Sequence, residues 1–504
     1  MLLLIICASI AAIFVYALLI NKMKGLPPGP PPLPFFGNLL QTDQDMVKVL
    51  AGWKRRYGKV FTVWMPEPTV FIADHELLQE HIVRNGDKYG DRVAIPLLAG
   101  EGGEGLGLLF NSNAIWREQR RFALHTLRNI GFSSVAYQVG CPMFRRDVVN
   151  VATKELTIRY AHEIVARWKS EGANGKPIDL SYGIMVGVSN IVWQQLFGRT
   201  LPFDDPLFAQ VRAHTRVMID MVMDPLITFI PLIPQIRHLS RFFGSSVERS
   251  IAASKAFNEL VKKELEIVKS NVNVDEEPTC YSEAFLEEMR KRSNAGEDLG
   301  TFSEKQLFAA CGDLWIAGFE TTVTTLRYAF HFMINNRGVQ EKCQREIDER
   351  IGKRVIQMAD QKDLHYCNAE SLRFSSINMN TPRQVSEDVT IAGYEIPAGT
   401  GISPEFSLVH IDPELYERPD FFCPERHLND QGELVKDPHF TPFSIGKRNC
   451  IGEGLARMQL FLFFTTFIQH LSFSSVSKIP PELKEIITLL RYPDKYEVVV
   501  ESRD

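Results

Sequence analysis

The chain has 504 residues, of which 45% are hydrophobic and 23% charged. These proportions are typical of a globular protein and exclude the collagen-like, low-complexity and wholly disordered classes. The net charge of −5, from 56 basic and 61 acidic residues, lacks the basic excess needed to bind a phosphate backbone, so we do not expect nucleic acid as a partner. The eight cysteines include no C-x-x-C pair, which argues against a disulfide scaffold or zinc ribbon and favours a reducing compartment.

The chain begins with an apolar segment. Residues 2–20 carry no charge, and a helix of that length would extend about 28 Å, close to the hydrocarbon thickness of a bilayer. A cleaved signal peptide would have a shorter apolar region after a positive charge, whereas here Lys22 and Lys24 follow the segment. We therefore expect an uncleaved single-pass anchor. The positive-inside rule predicts that the body of the protein lies in the cytosol.

Two proline-rich stretches follow. Residues 26–38, LPPGPPPLPFFGN, predict a stiff, extended hinge, because proline fixes φ and lacks an N–H donor. Residues 225–234, PLITFIPLIP, are too short and too broken to span a membrane. They fit either a contact with the headgroup interface or ordinary core packing.

The remaining chain, residues 39–504, contains no repeat and no long linker, so we expect one domain. Helical periodicity predicts six helices, at 116–127, 184–197, 250–269, Glu304–Asn335, 339–351 and 453–471. Alternating or β-branched runs predict strands at Val60–Trp64, 69–73, Val389–Ile391, Tyr394–Ile396 and 496–500. The fold class is therefore mainly α with a minor β portion.

The stretch FSIGKRNCIGEG, which begins at Phe443, carries the strongest chemical signal. Cys450 immediately precedes a helical segment, where unpaired N–H groups and the helix dipole are expected to lower the thiol pKa and favour metal ligation. Gly446 would allow a tight turn below a cofactor, and Gly452 a close approach of the helix backbone. Arg448 could pair with a carboxylate, and Phe443 could shield the sulfur. The alternative is a buried cysteine that caps a core helix.

The pattern F-x-x-G-x-R-x-C-x-G resembles the haem-binding signature of the cytochrome P450 family, and the resemblance extends along nearly the whole chain. It is closest to the microsomal branch that oxidises drugs and lipids. It implies the P450 fold and haem b (iron protoporphyrin IX) with Cys450 as the axial thiolate ligand of the iron. It also implies a monooxygenase that inserts one atom of O2 into a small lipophilic substrate, such as a fatty acid, a steroid or a xenobiotic.

The same resemblance implies partners and a location. NADPH would be used indirectly through NADPH-cytochrome P450 reductase, with cytochrome b5 as a second candidate partner, at the endoplasmic reticulum membrane. Arg117, Arg121 and Lys447 are candidate contacts for the reductase, although surface cations are usually only solvated.

The segment AGFETT, residues 317–322, resembles the oxygen-activation helix of the family, with Glu320 and Thr321 as its catalytic acid–alcohol pair. Glycine loosens a helix, a threonine hydroxyl can bond the carbonyl one turn back, and a carboxylate beside a hydroxyl can relay protons from solvent. Taken alone, the segment also fits a solvent-facing glutamate beside helix threonines. The resemblance assigns the substrate pocket to Asp313, Leu314, Ile316 and Ala317 on this helix.

Two further loops would complete the substrate pocket by the same resemblance. One is the stretch before Trp116, whose glycine-rich part, GEGGEGLGLLF from residue 100, is expected to be flexible and to gate entry. The other is residues 376–381, which follow the E-x-x-R segment.

Further residues match family positions that support the cofactor. Trp116 and Arg120 match W-x-x-x-R, which directs a hydrogen-bond donor and a cation towards a haem propionate. Arg383 stands where the family commonly offers a basic residue to a propionate, and Arg448 is the third cation.

Glu370 and Arg373 match E-x-x-R, and Arg426 matches P-E-R, so the resemblance implies a buried ion network of these three residues. Outside that context, a Glu–Arg pair with i, i+3 spacing would be a surface salt bridge.

The sequence departs from the family pattern at three places. Glu370 comes about three residues early, a loss of almost one helical turn that would rotate the Glu–Arg face by about 60°. Residues 133–161 lack the usual glycine- and charge-rich pattern, and His427 stands where an aromatic residue is usual.

Two other functions stay open, and the departures make the second of them credible. One is a haem-thiolate isomerase or dehydratase acting on peroxides, against which the presence of Glu320 and Thr321 argues. The other is an inactive, membrane-tethered protein that binds haem or lipid.

Overall fold

The computed structural model describes residues 25–34, 36–42, 45–65, 67–93, 105–130, 144–221, 247–273, 275–364, 369–377, 382–477, 481–487 and 490–503. The expected anchor at 2–20, residues 100–104 of the glycine-rich gate and the proline-broken stretch at 225–234 lie outside these residues. No helix within the described ranges is long and apolar enough to cross a membrane.

The described residues are mainly helical, as predicted. Their α-helices are α1 Met46–Tyr57, α2 His75–Leu78, α3 Asn113–Asn129, α4 Phe144–Glu171, α5 Ser181–Phe197, α6 Pro206–Met221, α7 Val247–Asn271, α8 Tyr281–Asn294, α9 Glu304–Asn335, α10 Arg337–Arg350, α11 Ala369–Ser375, α12 Phe406–His410 and α13 Glu453–His470. A π-helical segment, Gln79–Arg84, follows α2 directly.

Four small sheets form the β portion. The strands are β1 Val60–Trp64, β2 Pro68–Ile72, β3 Asp91–Arg92, β4 Arg383–Gln384, β5 Val389–Ile391, β6 Tyr394–Ile396, β7 Gly401–Pro404, β8 Leu471–Ser475, β9 Glu485–Ile487, β10 Arg491–Pro493 and β11 Val498–Ser502. The largest sheet has the order β1-β2-β7-β4-β3, and the pairs β9–β10, β8–β11 and β5–β6 are separate. Ala392 and Gly393 connect β5 to β6 with φ of 50° and 85°, as a tight two-residue hairpin requires.

The main hydrophobic core surrounds α9. Helix α5 packs along α9 with buried residues on nearly its whole circumference, as expected for a helix enclosed by its neighbours. The rings of Trp193 on α5 and Trp315 on α9 meet edge to face at 4.4 Å, and Phe257 of α7 stacks on Trp315 at 5.2 Å. This core fixes the position of α9, which carries residues 317–322.

Part of the atypical stretch at 133–161 belongs to this core. Residues 144–161 of the stretch belong to α4, in which Tyr160 and Thr157 are buried. Gln195 of α5 donates a hydrogen bond to Thr153 Oγ1 at 2.8 Å. The second half of the stretch is therefore integrated into the fold, whereas residues 133–143 lie outside the described residues.

Candidate active site

The loop before α13 presents Cys450. A 3-10 turn at Gly446–Arg448 leads into it, and the Cys450 N–H donates to the Phe443 carbonyl at 2.9 Å. Gly446 has φ +74°, and a Cβ there would lie 2.1 Å from the carbonyl oxygen of Ile82 in the π-helical segment. Glycine is thus required both for the turn and for close packing against protein.

The next two residues of the loop contact the turn that follows the π-helical segment. Lys447 forms an ion pair with Asp87, and Arg448 Nε donates to the Gly90 carbonyl at 2.7 Å. Three consecutive residues of the loop therefore contact residues 82–90, which hold the cysteine in place. Arg120 of α3 adds a fourth contact, because its Nη2 donates to the carbonyl and side-chain oxygens of Asn449 at 2.6 and 2.7 Å.

The pKa expected for the Cys450 thiol is wrong in direction. The side chain is accessible, yet protein surrounds it on a larger scale, as in the wall of a cleft. Burial raises the thiol pKa to about 11, and the hydrogen bond from the Gly452 N–H, with Arg120 and Arg457, offsets this only in part. Desolvation outweighs the helix N-terminus. Thiolate at neutral pH would therefore be produced by ligation of a metal, which releases the proton.

Four guanidinium groups gather beside this loop. Arg92 and Arg383 come from directly paired residues of β3 and β4, Arg120 from α3 and Arg448 from the cysteine loop. Burial lowers the pKa of Arg92, Arg120, Arg383 and Arg448, and repulsion from the other guanidiniums lowers it further in all but Arg120. Since a guanidinium stays charged in proteins, this lowering reflects first the cost of burying these cations and then, except for Arg120, their mutual repulsion.

Arg448 is buried and is held by contacts on several sides. Its Nη2 donates to the Asn111 carbonyl at 2.6 Å, and its guanidinium carbon lies 3.5 Å from the centre of the Trp116 ring. The Arg120 guanidinium lies 5.7 Å from the same ring, so Trp116 packs against two of the cations. The Nη1 atom of Arg448 is buried and has no partner within the described residues. An orphaned charged donor at this depth is costly unless a ligand accepts from it.

A second ionic cluster centres on Glu370. Arg373 binds the Glu370 carboxylate in bidentate fashion, at 2.8 Å through Nε and 2.7 Å through Nη2, and both side chains are almost completely buried. Arg426 Nε, the Cys423 N–H and His427 Nε2 add bonds of 3.1, 3.0 and 2.9 Å. Burial alone would raise the pKa of Glu370, but the bonds from Arg373 and His427 hold it below its usual range. The cluster is not a surface salt bridge.

Helix α9 is α-helical throughout and carries the predicted acid–alcohol pair. The Thr321 hydroxyl donates to the Ala317 carbonyl one turn back at 2.7 Å, as expected for a threonine in a helix. A Cβ at Gly318 would lie 3.1 Å from the Val192 side chain of α5, so this glycine allows close helix packing. Glu320 and Thr321 are both partly buried.

Asp313 holds the loop that precedes α3. Its Oδ2 accepts from the backbone N–H groups of Leu108 and Leu109 at 2.6 and 2.9 Å, and burial raises its pKa to about 6. Gln306 exchanges two hydrogen bonds with the backbone of Gly107. The same loop contacts the arginines through the carbonyls of Leu109, for Arg92, and Asn111, for Arg448.

The other residues assigned to the pocket share this helix. Leu314 is buried in the main core, Ile316 packs against that core, and Ala317 is half-buried. The carboxylate of Asp313 is thus engaged by the loop backbone, and the residues that follow it supply apolar surface.

Comparison with known proteins decides the family. The family model described as Cytochrome P450 matches residues 27–500. The chain is 33% identical over 496 residues to Probable cytochrome P450 CYP36A1 of Caenorhabditis elegans, and the match covers 96% of each protein. It is 31% identical over 510 residues to Cytochrome P450 2D15 of Canis lupus familiaris, which covers 98% of this chain and 97% of that protein.

The chain belongs to the cytochrome P450 family. It is accordingly a haem monooxygenase, an oxidoreductase that acts with O2 on a lipophilic substrate and receives electrons from a redox partner. Membership implies haem with a cysteine thiolate as its ligand. Cytochrome P450 2D9 of Mus musculus, 32% identical over 497 residues, is a further relative.

The residues of this P450 fit haem. Haem presents two propionate carboxylates, and a concentration of buried guanidiniums with an orphaned Arg448 Nη1 is the donor set that a dianion requires. Cys450 supplies a single soft sulfur ligand. No group of three or more His, Cys, Asp or Glu side chains in the described residues is arranged to hold a metal by itself.

Several residues of the site were not found from the sequence. Arg92 lies in no recognisable motif, and only the pairing of β3 with β4 brings it opposite Arg383. Asn449 was overlooked, although its place before Cys450 was a usable signal. His427 was noted only as a departure, and its contact with Glu370 depends on the tertiary fold.

Proposed function

We propose that this P450 inserts one atom of O2 into a small lipophilic substrate such as a fatty acid, a steroid or a xenobiotic. Electrons from NADPH would reach it through NADPH-cytochrome P450 reductase, with cytochrome b5 as a second donor. The observation that carries the proposal is the accessible Cys450 thiol beside four clustered guanidiniums, with the Glu320–Thr321 pair on the neighbouring helix α9.

Each part of the site has a role in this proposal. When bound, haem supplies the redox-active iron that activates O2. Cys450 would hold the iron through its sulfur, on which the Gly452 N–H would stabilise negative charge. The carbonyl of Phe443 fixes the cysteine backbone, and its ring, packed against Arg457, shields the sulfur side.

The guanidiniums of Arg92, Arg120, Arg383 and Arg448 bind and orient the two propionates, and the Trp116 ring holds two of them in place. Glu370, Arg373 and Arg426 brace the segment that leads to the cysteine loop and take no part in the chemistry.

Proton delivery is assigned to α9. Glu320 would take protons from solvent and Thr321 would present them at the reacting oxygen, since the Thr321 hydroxyl is within 2.7 Å of a backbone acceptor and can rotate between partners. Leu314, Ile316 and Ala317 would exclude water from the substrate side. Asp313 would keep the roof loop closed over them.

The membrane location is part of the proposal. Leu33, Phe36 and Leu40, just after the expected anchor, are large apolar residues with exposed side chains. Exposed apolar side chains grouped in this way suit contact with a lipid surface. This supports an enzyme on the cytosolic face of the endoplasmic reticulum membrane.

The test compares Thr321→Ala with Thr325→Ala, one turn further along, whose hydroxyl likewise bonds a helix carbonyl. With reductase, NADPH and a panel of lipophilic compounds, Thr321→Ala should keep haem but lose at least about tenfold of its product per NADPH consumed. The Thr325→Ala control should stay close to the wild type. An equal yield of product per NADPH in both variants would contradict the assigned proton relay. Turnover with organic hydroperoxide but not with NADPH and reductase would favour the isomerase.

A further inference from the structure

His427 is the last residue of the 3-10 turn Pro424–His427, at a position where the sequence departs from the family pattern, and it contacts Glu370 directly. Its side chain is 4% exposed, its ring packs against Phe440 at 5.4 Å, and its Nε2 lies 2.9 Å from Glu370 Oε2. An apolar ring of similar size could fill this space but could not donate a hydrogen bond.

The two carboxylate oxygens of Glu370 accept different numbers of hydrogen bonds. Oε1 accepts from Arg373 Nη2, the Cys423 N–H and Arg426 Nε. Oε2 accepts from Arg373 Nε and His427 Nε2. His427 therefore supplies one of the two hydrogen bonds that the described residues give to Oε2. Because an ionised carboxylate only accepts, the His427 Nε2 must carry the proton.

The Glu370 carboxylate is held by groups from two parts of the chain. Arg373 of α11 gives it two hydrogen bonds. Arg426, His427 and the Cys423 N–H, from the segment 423–427, give it three more. These five bonds set the position of the carboxylate.

The other histidine near this cluster does not compete for Glu370. His410 Nε2 accepts from the Thr441 N–H at 3.1 Å, and its Nδ1 pairs with the Ser376 hydroxyl at 2.9 Å. Burial, followed by the charge of Arg373, lowers the pKa of His410 to about 3, so it is neutral at physiological pH. His427 alone of these two donates to Glu370.

We propose that His427 is a positioning residue for Glu370, whose hydrogen bond to Oε2 holds the carboxylate in the orientation that the rest of the cluster requires. The Glu370–Arg373 pair also binds the Cys423 N–H and the carbonyls of Pro419 and Phe421. The bond from His427 therefore fixes the segment 419–426, which leads on to the cysteine loop. The inference rests on the proposed function where its consequence is thiolate ligation.

The test uses the full-length, membrane-bound holoprotein with His427→Phe and His427→Gln. Phenylalanine keeps the aromatic packing without the donor, and the glutamine amide nitrogen can occupy the place of Nε2. Removal of one hydrogen bond to a buried charge corresponds to about a tenfold change in an equilibrium. His427→Phe should therefore lose haem to apomyoglobin about tenfold faster and show a larger non-thiolate fraction with carbon monoxide, and His427→Gln should restore both. His125→Phe, at an exposed histidine, is the matched control.

Wild-type behaviour of His427→Phe would overturn the proposal, as would equal damage in the phenylalanine and glutamine variants. Failure of the proposed function is recognised separately. We would measure the thermal unfolding midpoint of the haem-free protein with His427→Phe, with Glu370→Gln and with both. The change in the double variant should differ clearly from the sum of the two single changes, whatever the chemistry at Cys450. Additive shifts in the unfolding midpoint would show that the two side chains are not coupled.

Discussion

Two buried ionic clusters of this P450 differ in how their charge is balanced. In the Glu370 cluster, one carboxylate receives five hydrogen bonds from within the protein, and its pKa stays low. In the arginine cluster, burial lowers the pKa of four cations, and the Nη1 atom of Arg448 has no partner among the residues that the structure describes. A cluster whose charges are balanced inside the protein supports the structure. A cluster that needs an external anion indicates a ligand site.

The largest effect is expected from breaking the balanced cluster. Glu370→Gln should destabilise the protein by about 3–5 kcal/mol, because it leaves the almost fully buried Arg373 without its counter-charge. Chemical denaturation of the haem-free protein measures this change. A loss below about 1 kcal/mol would mean that the Glu370 cluster does not support the fold as described.

Removal of a cation from the arginine cluster should affect haem binding rather than stability. Arg383→Met relieves repulsion and gives up only two long hydrogen bonds, of 3.3 and 3.4 Å, so the free energy of unfolding without haem should stay within about 1 kcal/mol of the wild type. Haem affinity should fall at least about tenfold.

The matched variant is Arg373→Met, which should destabilise the haem-free protein strongly. Calorimetric unfolding and haem titration of both variants separate the two clusters. If Arg383→Met lowered stability as much as Arg373→Met and left haem affinity unchanged, the arginine cluster would be structural rather than a ligand site.

A smaller effect is expected at Asp313, which connects α9 to the loop beside the arginines. Its pKa is about 6 in the folded protein, above the value of 3.8 expected for the unfolded chain. Protonation of Asp313 therefore adds to the free energy of unfolding. This contribution is complete below about pH 3.8 and is lost as the pH rises through about 6. Asp313→Asn keeps an acceptor oxygen and should remove up to about 3 kcal/mol of this pH dependence. Urea unfolding between pH 4 and 7 measures it. An unchanged slope in the variant would contradict the raised pKa.

The smallest effect is expected at the exposed Lys447–Asp87 pair. Lys447→Gln should leave thermal stability unchanged, because solvent screens exposed ion pairs and leaves them little net energy. Differential scanning fluorimetry checks this. A clear fall in the unfolding midpoint would show that this contact holds the cysteine loop more firmly than its exposure suggests.

Features set by local pattern could be predicted from the sequence. Strong apolar periodicity gave α9 at Glu304–Asn335, and an Ala-Gly turn between alternating residues gave the β5–β6 hairpin. Helices α1, α4, α6 and α8 were missed. The apolar residues of α4 form no clear stripe in the sequence, whereas α1 and α6 are amphipathic and their pattern was overlooked. Strands β3 and β4 have two residues each, too few for any periodicity.

The site itself was only partly predictable, for a related reason. Motif spacing located Cys450, Arg448 and Arg120, because these residues lie within short patterns. Arg92 joins them only through a strand pairing across nearly three hundred residues. The Cys450 pKa depends on how much protein surrounds the sulfur, which the position before a helix does not reveal.

The most direct test of the central claim is the visible spectrum of the wild-type protein, reduced with dithionite, before and after addition of carbon monoxide. The account predicts bound haem with the red-shifted Soret band of a thiolate ligand, which disappears in Cys450→Ala. Absence of haem, a band of only the thiol or imidazole type, or an unchanged thiolate band in Cys450→Ala would contradict it.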